Sequence, residues 1–389
     1  MTTSTVSDLK PAAGRAGAPP GRATIIPARR PSRLYVLDGL RLVAALAVVL
    51  YHLAGYDRYG VAGVWGASTE DVFPLLHRFA QYGWLGVELF FLISGFVICM
   101  SCWGRNVRDF AVSRVVRLFP AFWFCVLATA VAMRLSGDTG MTASRVLTNL
   151  TMLHEPLKVP HVDPSYWSLW AEMRFYVLFG GLLVWGLTYR RVMAFCGIWM
   201  LGSVLAPVSG IPLLVVMFQP QYAPFFIGGV LIFLMYRFGT SPLLWLMLGG
   251  SWLLAQHQLL TLVRGAEAWS RVEVSWTAAL VLVTAFYGVL LAAALGRLNF
   301  FNRAWLVPAG ALTYPLYLLH ERLGWFAVQR LHGTVPPLAL LAGLITVLLA
   351  ASWAVHRFVE RPLGLRLRRW LATGLEKAGP SRRRPAAAP

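Results

Sequence analysis

The sequence predicts an all-α integral membrane protein of about ten transmembrane helices with both termini cytoplasmic. Three observations predict it. The chain is 58% hydrophobic and only 13% charged, apolar runs long enough to span a bilayer recur along most of it, and arginines cluster in alternate loops. A soluble surface is roughly a quarter to a third charged, so the solvent of most of this chain is lipid. In lipid the backbone must satisfy its own hydrogen bonds, which makes helices the economical element for runs of about 20 apolar residues.

The elements follow in order. Residues 1–34 are rich in Ala, Pro, Gly and Arg and lack both apolar periodicity and the apolar core of a signal peptide, so they read as a disordered basic cytoplasmic tail. One membrane domain is expected over 35–362, with helices near 37–54, 84–102, 115–135, 166–187, 192–208, 222–236, 242–260, 274–295, 304–326 and 336–356. Pro207, Gly210, Pro212, Pro220 and Pro224 interrupt 192–236, where a re-entrant piece would fit. Residues 363–389 form a second basic cytoplasmic tail.

Sidedness follows from charge. Arg105, Arg108, Arg114, Arg190, Arg191, Arg237, Arg297 and Arg303 fall in short loops on one side, together with the tails. The longer opposite loops hold scattered Arg58, Arg78, Arg145, Lys158, Arg264, Arg271 and Arg330, several offset by acids. The denser side is cytoplasmic, and a multi-pass protein of the cytoplasmic (inner) membrane is expected. The formal charge of +19 is thereby explained by an anionic lipid surface, and no aromatic-basic platform for nucleic acid accompanies it. Cys99, Cys102, Cys125 and Cys196 lie in apolar runs, and Cys99-x-x-Cys102 lacks a second pair to complete a tetrahedral set; packed thiols and no metal are expected.

Charged groups at membrane depth cost at least a few kcal/mol each, so those that persist mark a packed polar network or a site. Arg41 and His52 are eleven residues apart on the first helix, which returns within roughly 20° of the same face about 16 Å along the axis. That distance approximates the pantetheine arm of coenzyme A, so one ligand could touch both; the alternative is a snorkelling arginine and a histidine satisfied by its neighbours. Glu88, at the outer start of the second helix, would sit beside His52, fix its tautomer and raise its basicity. Ser94 is a weaker candidate for chemistry than for close helix packing.

Arg114 and Arg117, one turn apart at the expected start of the third helix, present two guanidiniums to phosphates or serve as ordinary cytoplasmic charge. In the fourth helix, Trp167, Glu172 and Arg174 belong to a polar and aromatic run read as lining an acceptor path, with Glu172 and Arg174 about 200° apart and so engaging different neighbours. In the ninth, Tyr317 and His320 are neighbours behind Pro315; His320 touches substrate or caps a polar cluster. Glu360 could pair with Arg114 or Arg117, or simply end the tenth helix.

Taken together, Arg41 with ten residues before His52, Gly86-Val87-Glu88-Leu89-Phe90-Phe91-Leu92-Ile93-Ser94-Gly95-Phe96, Arg114-x-x-Arg117, Trp167-Ser168-Leu169-x-x-Glu172-x-x-Phe175-Tyr176, Tyr314-x-x-Tyr317-Leu318-x-His320 and Glu360-Arg361-Pro362 resemble the acyltransferase 3 family of membrane acyltransferases in the family's order. The resemblance runs from about Leu34 to Pro362. It departs from the family at Thr313, where serine is usual, and at Glu88, where aspartate is common.

The resemblance implies acyl transfer, usually of acetyl, from cytoplasmic acyl-CoA to a hydroxyl, commonly on a sugar. It gives His52 the position of the catalytic histidine, Glu88 that of its acidic partner, and Arg114 with Arg117 the nucleotide end of CoA; by their own positions Arg41 and Glu360 are expected on the same donor side. Trp167, Glu172, Arg174, Tyr317 and His320 are expected on the acceptor side. Acyl-CoA enters as a substrate, with no permanently bound cofactor, and the other partners are the bilayer and a sugar-bearing acceptor. Because no hydrolase-like domain follows the last expected span, the stand-alone form is implied, whose acceptors include cell-surface polysaccharide, glycolipid and macrolide antibiotic sugars. The rival class is a secondary transporter or sugar-lipid flippase in which His52, Glu88 and Glu172 relay protons.

Overall fold

The computed structural model describes residues 34–57, 63–270 and 273–378, less the side chains of 268–270 and 375–378. The expected tails, apart from Leu34 and 363–378, lie outside these residues, as do Arg58 and Arg271. Apolar runs become helices throughout, and the described residues contain no strand. In order they are α1 (Val36–Leu50), α2 (Thr69–Val72), α3 (Pro74–Ala80), α4 (Gly86–Cys102), α5 (Val107–Leu135), α6 (Ala143–Leu150), α7 (Trp167–Val184), α8 (Tyr189–Val208), α9 (Pro212–Phe218), α10 (Ala223–Phe238), α11 (Pro242–Ser270), α12 (Trp276–Ala294), α13 (Leu306–Leu331), α14 (Pro337–Val355) and α15 (Arg361–Ala378). Two π-helical turns, Tyr51–Gly55 and His356–Glu360, extend α1 and α14.

Among the described residues, seven helices are long and apolar enough to cross a membrane, and they contain α1, α4, α5, α8, α10, α12 and α14. Three further expected spans form α7, α11 and α13, of 18, 29 and 26 residues. Polar residues dilute their apolarity: Glu172 and Arg174 in α7, Gln256 and His257 in α11, His320 and Glu321 in α13.

Two local features differ from expectation. α5 begins at Val107 rather than near residue 115 because Asn106 caps it, its side chain accepting from the Asp109 amide at 2.8 Å. Arg114 and Arg117 therefore lie within that helix, not at its start. The proline-broken stretch holds the short helix α9, which ends at Gln219 with a left-handed backbone, φ 47°.

α1 is central, packed against both α13 and α4, while α4 packs against α10 and α15 against α5. Glycines seat α4 on α10. A Cβ on Gly229 would lie 1.9 Å from the Leu92 carbonyl oxygen, and one on Gly95 would lie 2.1 Å from that of Phe226. All four cysteines are free and buried, as the apolar runs require.

Candidate active site

His52 is the second residue of the π-helical turn that ends the first membrane helix. A helix end leaves carbonyls without internal partners, and here three successive ones find side-chain donors. Trp325 Nε1 donates to the His52 carbonyl at 2.7 Å, Trp65 Nε1 to that of Leu53 at 2.7 Å, and His77 Nδ1 to that of Ala54 at 3.3 Å. Each donor comes from a different segment, so the turn is fixed from several sides. Single π turns recur at functional sites because they re-aim one side chain out of the regular helical series.

The imidazole is held as firmly as the backbone. His52 Nδ1 lies 3.0 Å from the Val48 carbonyl and 3.0 Å from His320 Nε2, and His320 Nδ1 lies 2.8 Å from the Tyr317 carbonyl. Carbonyl oxygens only accept, so both Nδ1 atoms carry hydrogen, and His320 Nε2 is an acceptor. The network therefore leaves the lone pair of neutral His52 on Nε2. Tyr51 and Tyr56 flank the ring at 5.0 and 5.9 Å between centroids, and Trp325 stands at 6.1 Å.

The carboxylate facing Nε2 belongs to Glu321, whose Oε2 is 3.6 Å away with the side chain only 4% exposed. Glu88 does not take that place. Its side chain is buried, its Oε2 has no hydrogen-bond partner, and it forms no ion pair with His52. The expected Glu88–His52 contact is thus corrected: helical phase places a residue on a face but does not say which helix that face meets. Glu321 carried one sequence signal, a charge beside His320 inside an apolar helix. His52, His320 and Glu321 are also the one group among the described residues whose ligand atoms lie close enough for a metal ion. The lone pair of His320 Nε2 is, however, already used in accepting from His52 Nδ1.

Beside Tyr317 lies a cavity of about 310 Å³, the main one for this site although the smaller of two, with Arg41, Arg114, Arg117, Ser94, Glu172 and Tyr317 in its wall. Ser94 Oγ donates to Glu172 Oε1 at 2.7 Å, joining α4 to α7. Tyr317 closes the end toward the histidines: its ring is 5.4 Å from that of His320, and its hydroxyl donates to the Ser165 carbonyl at 3.0 Å and lies 2.6 Å from Ser168 Oγ. Arg114 leans over the rings of Phe110 and Tyr176, each 5.8 Å from its guanidinium carbon. Neither His52 nor Glu88 lines this cavity.

A second cavity of about 660 Å³ adjoins the basic end, lined by Arg41, Arg117, Arg357 and Arg361 together with Asp38 and His356. Arg41 and Arg117 belong to both walls. Arg117 pairs with Glu360, which also bonds His356 Nδ1 at 3.0 Å across the second π-helical turn. Glu360 thus meets Arg117 rather than Arg114, which turns to Ser113 Oγ at 3.0 Å. A carboxylate that holds one guanidinium in place beside two others makes a preorganised anion mouth.

Two expected acceptor-side residues lie elsewhere. Arg174 donates to the Val216 carbonyl at 3.1 Å and stacks over Trp170, tying α9 to α7. Trp167 packs on Tyr222 and Phe91, at 5.3 and 6.4 Å between centroids. Neither lines the main cavity. The loop between α6 and α7 supports the histidine end instead. Buried Asp163 accepts from Ser165 Oγ at 2.6 Å and from the Arg322 amide at 2.9 Å, one residue beyond Glu321. In the same loop, burial and the neighbouring His161 push His154 down to about 4.

Comparison with known proteins identifies the family. Residues 34–357 match the acyltransferase domain family. The chain is 26% identical to Acyltransferase MdmB of Streptomyces mycarofaciens over 46% of each protein. It is 25% identical to Peptidoglycan O-acetyltransferase OatA of Listeria monocytogenes over 40% of this chain and 25% of that one, and 34% identical to Exopolysaccharide production protein ExoZ of Rhizobium meliloti over 28% and 36%. The aligned parts cover less than half the length of these relatives. No solved structure matches the chain. With a match spanning nearly all of the helical domain, the chain belongs to the acyltransferase 3 family.

Proposed function

We propose that the protein is a membrane O-acyltransferase that moves an acyl group, acetyl in the first instance, from acyl-CoA to a hydroxyl of a carbohydrate or glycosylated acceptor. One observation carries the reading. An arginine-lined mouth meets, at Arg41 and Arg117, a cavity closed by Tyr317, whose ring packs on His320, the partner of a His52 that keeps the lone pair on Nε2. Family membership supplies the reaction class, and relatives named for peptidoglycan O-acetylation and exopolysaccharide production favour a carbohydrate acceptor.

With both termini in the cytoplasm, the mouth takes the donor from the cytoplasm. Arg41, Arg114 and Arg117 bind its phosphates, Glu360 fixes Arg117, and the thioester extends about 16 Å along α1 to His52. His52 Nε2 takes the proton of the acceptor hydroxyl as that oxygen bonds to the thioester carbonyl carbon. The carbon–sulfur bond breaks with its electron pair on sulfur, and the proton passes from His52 to the thiolate, giving ester and free CoA. Tyr317, Ser168 and Glu172 line the path, while Trp167 and Arg174 act on its frame.

Purified protein in nanodiscs, supplied with labelled acetyl-CoA and glycolipid or polysaccharide fractions, tests the reading. Label in one acceptor class is expected. Absence of CoA binding and transfer, with proton-coupled flux in sealed vesicles, would replace it with transport.

A further inference from the structure

We propose that Glu321 is the positioning carboxylate of the transfer reaction, receiving the His52 imidazolium as an ion pair, and that His320 fixes the tautomer which makes this possible. The inference rests on the acyl-transfer reading and deepens it at the histidine end.

The two nitrogens of His52 face different partners. Nδ1 donates to Val48 and His320, so its hydrogen is committed. Nε2 faces Glu321 Oε2 across 3.6 Å, in a place where the two side chains are 15% and 4% exposed. Before reaction this is a lone pair opposite a carboxylate, which neither group gains from. When Nε2 takes the hydroxyl proton, the same pair becomes imidazolium and carboxylate at ion-pair distance, and in surroundings this dry the attraction is large compared with that in water. The favourable contact therefore exists after proton transfer and not before it, which is where an interaction accelerates a reaction. When the proton moves on to the leaving thiolate, the contact is released and the resting tautomer returns.

The surroundings single out Glu321 for this part. From the π turn and the residue after it, Tyr51 and Tyr56 face the imidazole; from α13, His320, Glu321 and Trp325 do. Asp163 stands behind His320, against the Arg322 amide and Ser165. Glu321 is the carboxylate within ion-pair reach of His52 among the described residues. The α13 backbone at the next residue is pinned by Asp163, and the Arg322 side chain by Asp138 at 2.6 Å, so Glu321 sits on an anchored turn.

Steady-state kinetics of Glu321→Gln, Glu321→Asp and Glu88→Gln across pH, with CoA binding measured in each, test the proposal. The active form of His52 is neutral, so activity rises as pH climbs through its titration. Removing a facing carboxylate weakens the base and moves that rising limb to lower pH, by about one unit for an opposite charge at this distance. Glu321→Gln is expected to show this shift with kcat lowered about 10- to 100-fold and the KM for acetyl-CoA unchanged. Glu321→Asp should recover part of both, and should carry the test if the glutamine variant does not fold. A Glu321→Gln limb at the wild-type position, or a limb that moves in Glu88→Gln instead, would overturn the assignment. His52→Ala separates the two layers: if it stays fully active the acyl-transfer reading itself fails, whereas if it is inactive and Glu321→Gln behaves as wild type, only the Glu321 assignment does.

Discussion

Gly229→Ala would place a methyl group 1.9 Å from the Leu92 carbonyl oxygen and 2.8 Å from the Phe96 amide nitrogen. Ordinary contact begins at 3.4 Å, so the first approach falls short by 1.5 Å. Both obstructing atoms are backbone, and neither can rotate aside. α10 must withdraw from α4, which loosens Phe226 from Phe91 and Phe175, now 4.7 and 4.4 Å between ring centroids. Overpacking of this kind costs about 1–3 kcal/mol, a fall of roughly 2–10 °C in melting temperature for a domain of this size. Because α4 also carries Ser94, whose bond to Glu172 holds one wall of the main cavity, donor affinity should fall with stability. Gly249→Ala is the control: nothing lies within 4 Å of its Cβ, it sits in mid-helix, and gaining helix propensity should leave the protein at least as stable. Melting of the two variants in one detergent reads the difference directly. A Gly229→Ala protein as stable as wild type, or a Gly249→Ala protein that falls equally far, would refute this packing argument.

Arg174→Ala should lower the melting temperature through loss of the bond that ties α9 to α7, a partly solvated contact worth about 1 kcal/mol, and leave the KM for acetyl-CoA unchanged; a raised KM would return Arg174 to the substrate path. Glu360→Gln should weaken CoA binding severalfold by releasing Arg117, without moving the pH limb set at His52; tight binding in that variant would deny the pair a part in the mouth. The folded loop keeps His154 neutral down to about pH 4, while the unfolded chain takes up its proton near 6.5, so stability should fall as pH drops through that window. His154→Gln should flatten the slope between those two pH values in thermal melts, and an unchanged slope would count against a neutral His154.

The helices were legible because apolar runs of bilayer length have one economical backbone solution. Boundaries set by caps were less so: Asn106 and Asp109 form an ordinary N-cap pair, but the charges around them resemble a loop, and α5 starts earlier than apolarity suggests. The basic cluster was readable from spacing, since Arg114 and Arg117 share a face and Glu360 was a candidate partner for either; which arginine it meets needed tertiary structure. The histidine end was readable only in part. His52 and His320 stood out as ionisable groups at depth, but a regular-helix argument could not foresee the π turn that aims His52 or the neighbour it meets. Glu88 and Glu321 are equally conspicuous acids in apolar helices, and only the packing of α1 on α13 assigns the contact to Glu321.

The central claim is that one end of the helical domain holds the donor and the other does the chemistry. CoA binding and acetyl transfer measured side by side on His52→Ala and Arg117→Ala test it most directly. The account predicts that His52→Ala binds CoA like the wild type and transfers nothing, while Arg117→Ala binds weakly yet still turns over at saturating donor. Transfer by His52→Ala at the wild-type rate, or loss of CoA binding in His52→Ala with binding intact in Arg117→Ala, would contradict it.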